Sequence, residues 1–302
     1  MSNPLTKNLD IIPAIQKVPV FINPKSGSAE RIMKVLEQHR EVAIQLIKPS
    51  TLPKLIHAEI EAGCDRVIVC GGDGTLALAA NQVARTQTAL AVLPGGTLNH
   101  FAQHLGLPLD IHQALDIALH SQRTDYVDVG YVNNRLFLNT SSVGNYVRFV
   151  RTRDHLERYM GYVPASILAA IRRLIRLRSS RLFFEGERIK SPLAFIGVKE
   201  RELSFPALGQ KIEEGEQGLH IIIIHTESRW EAIRLVFHAL IRGVDPLKKA
   251  RKIDSFMVEE IEIDNYHTKR GIYVALDGEI SLLTTPLNYH YASNALKVVL
   301  PS

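Results

Sequence analysis

With 302 residues, 46% of them hydrophobic and 22% charged, the chain has the composition of an ordinary globular protein and the length for two units with cores of their own. The net charge of +5 is concentrated, because eight arginines and only two acids, Asp154 and Glu157, lie between Arg148 and Arg178. Two cysteines are too few for a disulfide framework, no apolar run reaches the length of a bilayer span, and MSNPLTKNLDIIPAIQK lacks the parts of a secretory signal, so the expected location is cytoplasmic.

In chain order, VPVFIN reads as a buried strand and SAERIMKVLEQHR as a helix with Ile32, Val35 and Leu36 at helical spacing. VAIQLIK, RVIVC and ALAVLP repeat the strand pattern. LPKLIHAEIEAG, TLALAANQVAR and TLNHFAQHLG repeat the helical one. This alternation predicts an α/β nucleotide-binding domain with a parallel sheet over residues 15–125. After Asp125 the texture becomes that of antiparallel hairpins. YVDVGYVNNRLFLNTSSVG, RLFFEGERI, LAFIGVK, LHIIIIH, FMVEEIEID, GIYVALDG and ALKVVL supply strands, and WEAIRLVFHALIRG is the clear helix among them. A β-rich second domain, 126–302, is expected to complete a cleft with the first.

The third strand ends in CGGDGTLA. Gly72, Gly74 and Ala77 satisfy the dinucleotide fingerprint, but it also requires an acid about twenty residues on, and none occurs between Asp73 and Asp110. A Walker loop requires a lysine, and none occurs between Lys54 and Lys190. What remains is a helix start whose amides and dipole favour an anion, or more plainly a tight turn with a capping Asp. Asp73 would repel a phosphate unless a divalent cation stood between them, so Mg²⁺ bound with the nucleotide is expected, with Asp73 as its ligand directly or through water or phosphate. Thr75 can cap the helix or bond a phosphate oxygen. LPGGTLNHFA repeats the design with Gly95, Gly96 and Thr97, and FINPKSG offers Asn23, Lys25, Ser26 and Gly27 at another strand end.

INPKSG, GGDGT and LPGGTLNHFA in that order resemble the catalytic domain of the diacylglycerol kinase and sphingosine kinase superfamily, particularly its bacterial lipid kinases. The resemblance covers roughly residues 17 to 120 well and extends more weakly to the C-terminus. It implies an ATP-binding α/β domain followed by a β-sandwich domain, with the active site between them. It places adenine and ribose near Asn23, Pro24 and Thr51, and the phosphates at Gly71, Gly72, Asp73, Gly74, Thr75, Leu76 and Thr97, with Lys25, Ser26, Gly95, Gly96 and Asn99 beside them. Family members usually carry Asp where this chain has His100, which alters local charge. ALDGEISLL matches the family's D-G-E motif. By pattern alone it is first a hairpin turn, and the resemblance makes Glu279 the base and Asp277 its partner. A further metal loop of some members would fall at Gln217-Gly218-Leu219, where glutamine replaces the acid and no second ion is expected.

The implied activity is transfer of the γ-phosphoryl group of ATP to a hydroxyl of diacylglycerol or a related lipid. The alternatives are NAD kinase-like phosphorylation of a soluble acceptor and a non-catalytic lipid- or nucleotide-binding homologue. The arginine-rich segment Arg148 to Arg178 is either a solvated cationic helix face or a transient contact with an anionic membrane surface, giving a peripheral position at the inner membrane face. No nucleic-acid recognition motif accompanies it. Twelve histidines include no HExxH or comparable ligand set, and most are expected at the surface or satisfied in the core.

Overall fold

The computed structural model describes residues 17–97, 99–144, 180–184, 187–191, 193–201, 212, 214–224, 231, 253–264 and 271–302. The Arg148 to Arg178 segment and the helix expected at WEAIRLVFHALIRG lie outside the described residues, apart from Glu231.

The N-terminal part is built from β1 (Val18–Ile22), α1 (Ala29–Leu36), β2 (Val42–Leu46), α2 (Leu52–Glu61), β3 (Arg66–Gly71), α3 (Asp73–Val83), β4 (Ala89–Pro94), α4 (His100–His104) and α5 (Ile111–His120). The four strands are parallel in the order β2-β1-β3-β4. Helices cover both faces, so β3 from Val67 onward and the whole of β4 are apolar and buried rather than alternating. Val20, Ile22, Ile68 and Leu93 pack under α1 and α5, while Phe21, Val67, Val69 and Val92 pack under α2, α3 and α4. Helix α5 was not singled out in the sequence. Its start is nevertheless written there, since Asp110 accepts the Gln113 N–H as an N-cap. At its other end the Arg66 guanidinium donates to the carbonyls of Ala118, Leu119 and Ser121.

The C-terminal part comprises β5 (Thr124–Val132), β6 (Arg135–Phe137), β7 (Thr140–Gly144), β8 (Ser180–Phe184), β9 (Glu187–Ser191), β10 (Leu193–Val198), β11 (Leu219–Ile224), β12 (Ile253–Val258), β13 (Glu260–Asp264), β14 (Ile272–Leu276), β15 (Glu279–Leu283) and β16 (Leu287–Val299). A separate antiparallel sheet runs β12-β11-β10-β7-β14-β15. It faces the antiparallel half of the first sheet, with Val143, Ile196, Ile221 and Val274 on one side of the core and Phe137, Ile261, Ile263, Leu287 and Tyr289 on the other. The buried Tyr289 hydroxyl lies 2.9 Å from Ser141 Oγ, which satisfies both polar groups where the two sheets meet.

Two strand expectations change. FMVEEIEID is two strands: the chain leaves the second sheet after β12 and enters the first as β13, and the carbonyl of Glu259 at the break accepts the Tyr291 N–H. ALKVVL is only the end of the 13-residue β16, which pairs antiparallel with β5 and β13 and parallel with β4. Its register shifts between Ala292 and Leu296, where Asp128 accepts the Asn294 N–H. The first sheet is therefore continuous from the parallel strands into the antiparallel ones, with β16 as the joint.

Candidate active site

In the order β2-β1-β3-β4 the connections reverse direction between β1 and β3, which opens a crevice at the carboxyl ends of these strands. The glycine-rich loops meet there. Asn23, after β1, donates its N–H to the Cys70 carbonyl (3.1 Å) and its side-chain amide to Thr75 Oγ1 (3.1 Å). Its own Oδ1 accepts the Lys25 N–H and its carbonyl the Ser26 hydroxyl. The loop after β4 is bound to the loop after β3 through Gly95 N–H to Gly71 O (3.1 Å).

The glycines have a packing reason. A Cβ on Gly96 would stand 2.6 Å from the Gly72 Cα, and one on Gly95 would stand 3.0 Å from the Gly71 nitrogen. These distances belong to backbone against backbone, so no side chain can move aside.

Counting donors separates the loop residues by role. The N–H groups of Thr75 and Leu76 go to the Gly72 carbonyl, that of Gly95 goes to Gly71, and that of Gly96 goes to Asn99 Oδ1 at 2.7 Å. Asn99, in the left-handed region at φ 51°, returns its side-chain amide to the Gly96 carbonyl and so staples the loop closed. Leu76 is fully buried in the core and Thr75 Oγ1 accepts from the Asn23 side-chain amide, so both help to hold the loop. Among the described residues, the amides of Gly72, Asp73 and Gly74 have no acceptor, and no side chain caps the 11-residue helix α3. That unpartnered first turn, with the positive end of the helix dipole, fits an anionic oxygen.

Asp73 has a partner that sequence reasoning did not supply. Its Oδ1 accepts the Phe101 N–H at 2.9 Å and its Oδ2 the His100 N–H at 3.2 Å, so it caps α4. A cation is therefore not required to explain an acid in this loop. Its remaining lone pairs, with the nearby Glu279 carboxylate, still suit Mg²⁺, which needs only one or two carboxylates when phosphate oxygens complete its shell. The described residues contain no group of three or more His, Cys, Asp and Glu that could hold a metal alone. Thr97 and Pro24 lie exposed at the mouth of the crevice. Thr51 is one strand further out at the end of β2, exposed, with its hydroxyl donating to the Lys48 carbonyl.

The second sheet supplies the facing acids. Asp277 and Gly278 form the two-residue turn between β14 and β15, both at positive φ (46° and 87°). Asp277 and Glu279 point in different directions. Asp277 turns back onto the segment before β7 and accepts the N–H groups of Leu138 (2.7 Å), Asn139 (2.8 Å) and Thr140 (2.9 Å). Burial outweighs these three donors and, with some repulsion from Asp73, pushes its carboxyl up to about 6, so it is ionised at neutral pH. Glu279 reaches across to α3, where its carboxylate lies against the Cα of Gly74: a Cβ on that glycine would overlap it. An acid of the antiparallel sheet thus stands at the unpartnered amides of the parallel one.

Two side chains at this junction had no signal in the sequence. Asn81, on the last turns of α3, accepts the Leu136 N–H at 3.1 Å. Arg201, after β10, is 5% exposed and donates to the Asn139 carbonyl at 2.7 Å.

Comparison with known proteins agrees with the resemblance drawn from the motifs. Residues 17–132 match the model of the diacylglycerol kinase catalytic domain. The chain is 32% identical over 154 residues to "Probable lipid kinase YegS-like" of Pseudomonas aeruginosa (strain UCBPP-PA14), covering 48% of this chain and 50% of the relative. It is 40% identical over 174 residues to "Diacylglycerol kinase" of Staphylococcus epidermidis (strain ATCC 35984), covering 54% of each. It spans about half the length of the curated relatives it matches. The fold is shared with a crystal structure of a diacylglycerol kinase from Bacillus anthracis str. Sterne, at TM-score 0.64 and 19% identity over 95% of this chain and 97% of that one. A second chain from the same organism aligns at TM-score 0.68 and 21% identity, with the same coverage. The chain resembles the diacylglycerol kinase superfamily, and its two-sheet architecture is that of these kinases.

Proposed function

We propose that this chain, whose residues 17–132 match the diacylglycerol kinase catalytic domain, transfers the γ-phosphoryl group of ATP to a hydroxyl of diacylglycerol or a related glycerolipid. The observation that carries the reading is the Glu279 carboxylate lying against Gly74, beside the unpartnered amides at the start of α3. Those amides hold phosphate oxygens of the nucleotide, and Glu279 stands where an incoming hydroxyl meets the phosphoryl group. The hydroxyl oxygen forms a bond to the γ-phosphorus as the bond from that phosphorus to the bridging oxygen breaks. Its proton passes to Glu279, and ADP leaves. Mg²⁺ held at Asp73 would neutralise phosphate charge when bound. Most of the acceleration comes from position and from fixed amide dipoles rather than from covalent chemistry on the protein.

A lipid acceptor is favoured over a soluble one by the names of the relatives and by the arginine-rich segment Arg148 to Arg178, which would draw the chain to an anionic membrane surface. Incubation with γ-labelled ATP, diacylglycerol in mixed micelles and NAD, with and without Mg²⁺, tests the reading. Labelled phosphatidic acid that depends on Mg²⁺ is expected. Labelled NADP, or no labelled product across a panel of glycerolipids, would overturn it.

A further inference from the structure

The segment from Leu136 to Thr140 crosses from β6 to β7 between the two halves of the site. It is held on both sides. Asn81 of α3 takes the Leu136 N–H, and Asp277 takes those of Leu138, Asn139 and Thr140. In return the Thr140 carbonyl accepts the Asp277 N–H at 2.8 Å, and the Asn139 carbonyl accepts the Val198 N–H at 3.0 Å and Arg201 Nη2 at 2.7 Å. The turn that carries Glu279 is thus bonded to this strap, and Leu276 pairs with Glu279 where β14 meets β15.

Arg201 is an expensive way to supply one of those bonds. Among the described residues its Nε is buried without a partner, and burial pulls the guanidinium down to about 10, still charged at neutral pH, with the Asp277 charge acting against that loss. Gly197 makes room for it, since a Cβ there would stand 2.6 Å from Arg201 Cγ. Behind it, the Arg201 N–H donates to His220 Nδ1 at 2.9 Å. His220 therefore carries its proton on Nε2, 2.7 Å from Ser255 Oγ. A well-packed apolar side chain would be at least as stable in such a place, so stability alone does not account for a buried charge there.

We propose that Arg201 is a positioning residue: by fixing the Asn139 carbonyl and facing Asp277, it sets the 138–140 amide rack, and through it the Asp277-Gly278-Glu279 turn, over Gly74. The consequence for phosphoryl transfer rests on the function proposed above. The placement of the turn does not. Asp277 and Glu279 are two residues apart in a tight turn, so a shift of the rack moves the Glu279 carboxylate relative to the amides of α3.

Hydrogen exchange of the full chain, followed by mass spectrometry, reads the placement directly. In Arg201→Met, peptides covering 136–140 and 276–280 are expected to exchange about tenfold faster, while β11 and β12 keep their protection. Arg201→Lys should restore part of it, and Asp277→Asn should loosen the same peptides if Arg201→Met folds poorly. In turnover, Arg201→Met should lower kcat about 10- to 100-fold with the ATP KM within about twofold, and the Arg201→Met/Asp277→Asn double variant should be no slower than the worse single one. Unchanged exchange at 276–280, or faster exchange throughout the second sheet, would overturn the inference. A wild-type chain that phosphorylates no lipid but shows the local exchange pattern would remove the kinase reading and leave the role of Arg201 standing.

Discussion

The two sides of the site are built on different principles. On the parallel side, strand ends deliver backbone: the groups that face the crevice are amides of Gly72, Asp73 and Gly74, and side chains such as Asn23, Thr75 and Asn99 tie the loops to one another. On the antiparallel side a hairpin delivers one side chain, Glu279, placed by bonds to residues more than a hundred positions earlier in the chain. A backbone cradle follows from local sequence, whereas a side chain aimed across a cleft requires the assembled fold.

The sharpest way to break the comparison is at Glu279, whose carboxylate meets the other side of the site at Gly74. Glu279→Gln keeps the shape and removes the base, and kcat is expected to fall about 10³-fold with nucleotide affinity unchanged, read by labelled-lipid turnover and by titration with ADP. If affinity fell with it, Glu279 would belong to the nucleotide cradle rather than to the acceptor side.

Next in size is Gly96→Ala. Its methyl meets the Gly72 Cα at 2.6 Å, backbone on backbone, so the two loops must part. A loss of about 2 kcal/mol in denaturant unfolding and at least a tenfold weaker nucleotide affinity are expected. Gly278→Ala is its counterpart across the cleft. Nothing lies within 4 Å of a Cβ there, and the only penalty is the positive φ of 87°, so a loss of about 1 kcal/mol is expected. Equal losses at the two glycines would mean that the loops are not packed as closely as described.

The smallest effect is the dependence on pH, which runs in opposite directions for stability and for activity. The Asp277 carboxyl is raised to about 6 in the folded chain from 3.8. The folded state therefore holds more protons between these values, and this group's contribution to stability is full below pH 3.8 and lost as pH rises through 6. Activity should do the reverse. A protonated Asp277 turns one oxygen into a donor and holds the three amides less strongly, so kcat is expected to fall on the acid side with an apparent midpoint near 6. Asp277→Asn should abolish that limb, and a profile with the same acid limb in the variant would assign it to another group.

Much of the parallel half is legible in the chain: continuous apolar runs at β3 and β4 announce strands buried on both faces, and three glycine-rich helix starts announce a shared crevice. What those glycines do was less legible. The pattern places Gly95 and Gly96 at a nucleotide-binding helix start; their amides go to Gly71 and Asn99, and the close approach of two loops gives them a packing reason that no pattern shows. Asp73 is similar. As an acid among amides it implied a cation, and in three dimensions the N–H groups of His100 and Phe101 already answer its charge.

The sequence by itself determined the alternation of strand and helix from β1 to α4, the identity of the loops and the turn at Asp277-Gly278, because hydrophobic period and turn chemistry are local properties. Only the tertiary structure decided that β16 returns to β4, that Asp277 turns inward while Glu279 reaches Gly74, and that Arg201 is buried behind them. Each of these depends on pairing between distant segments, and no residue type at a single position encodes which distant backbone group it will meet.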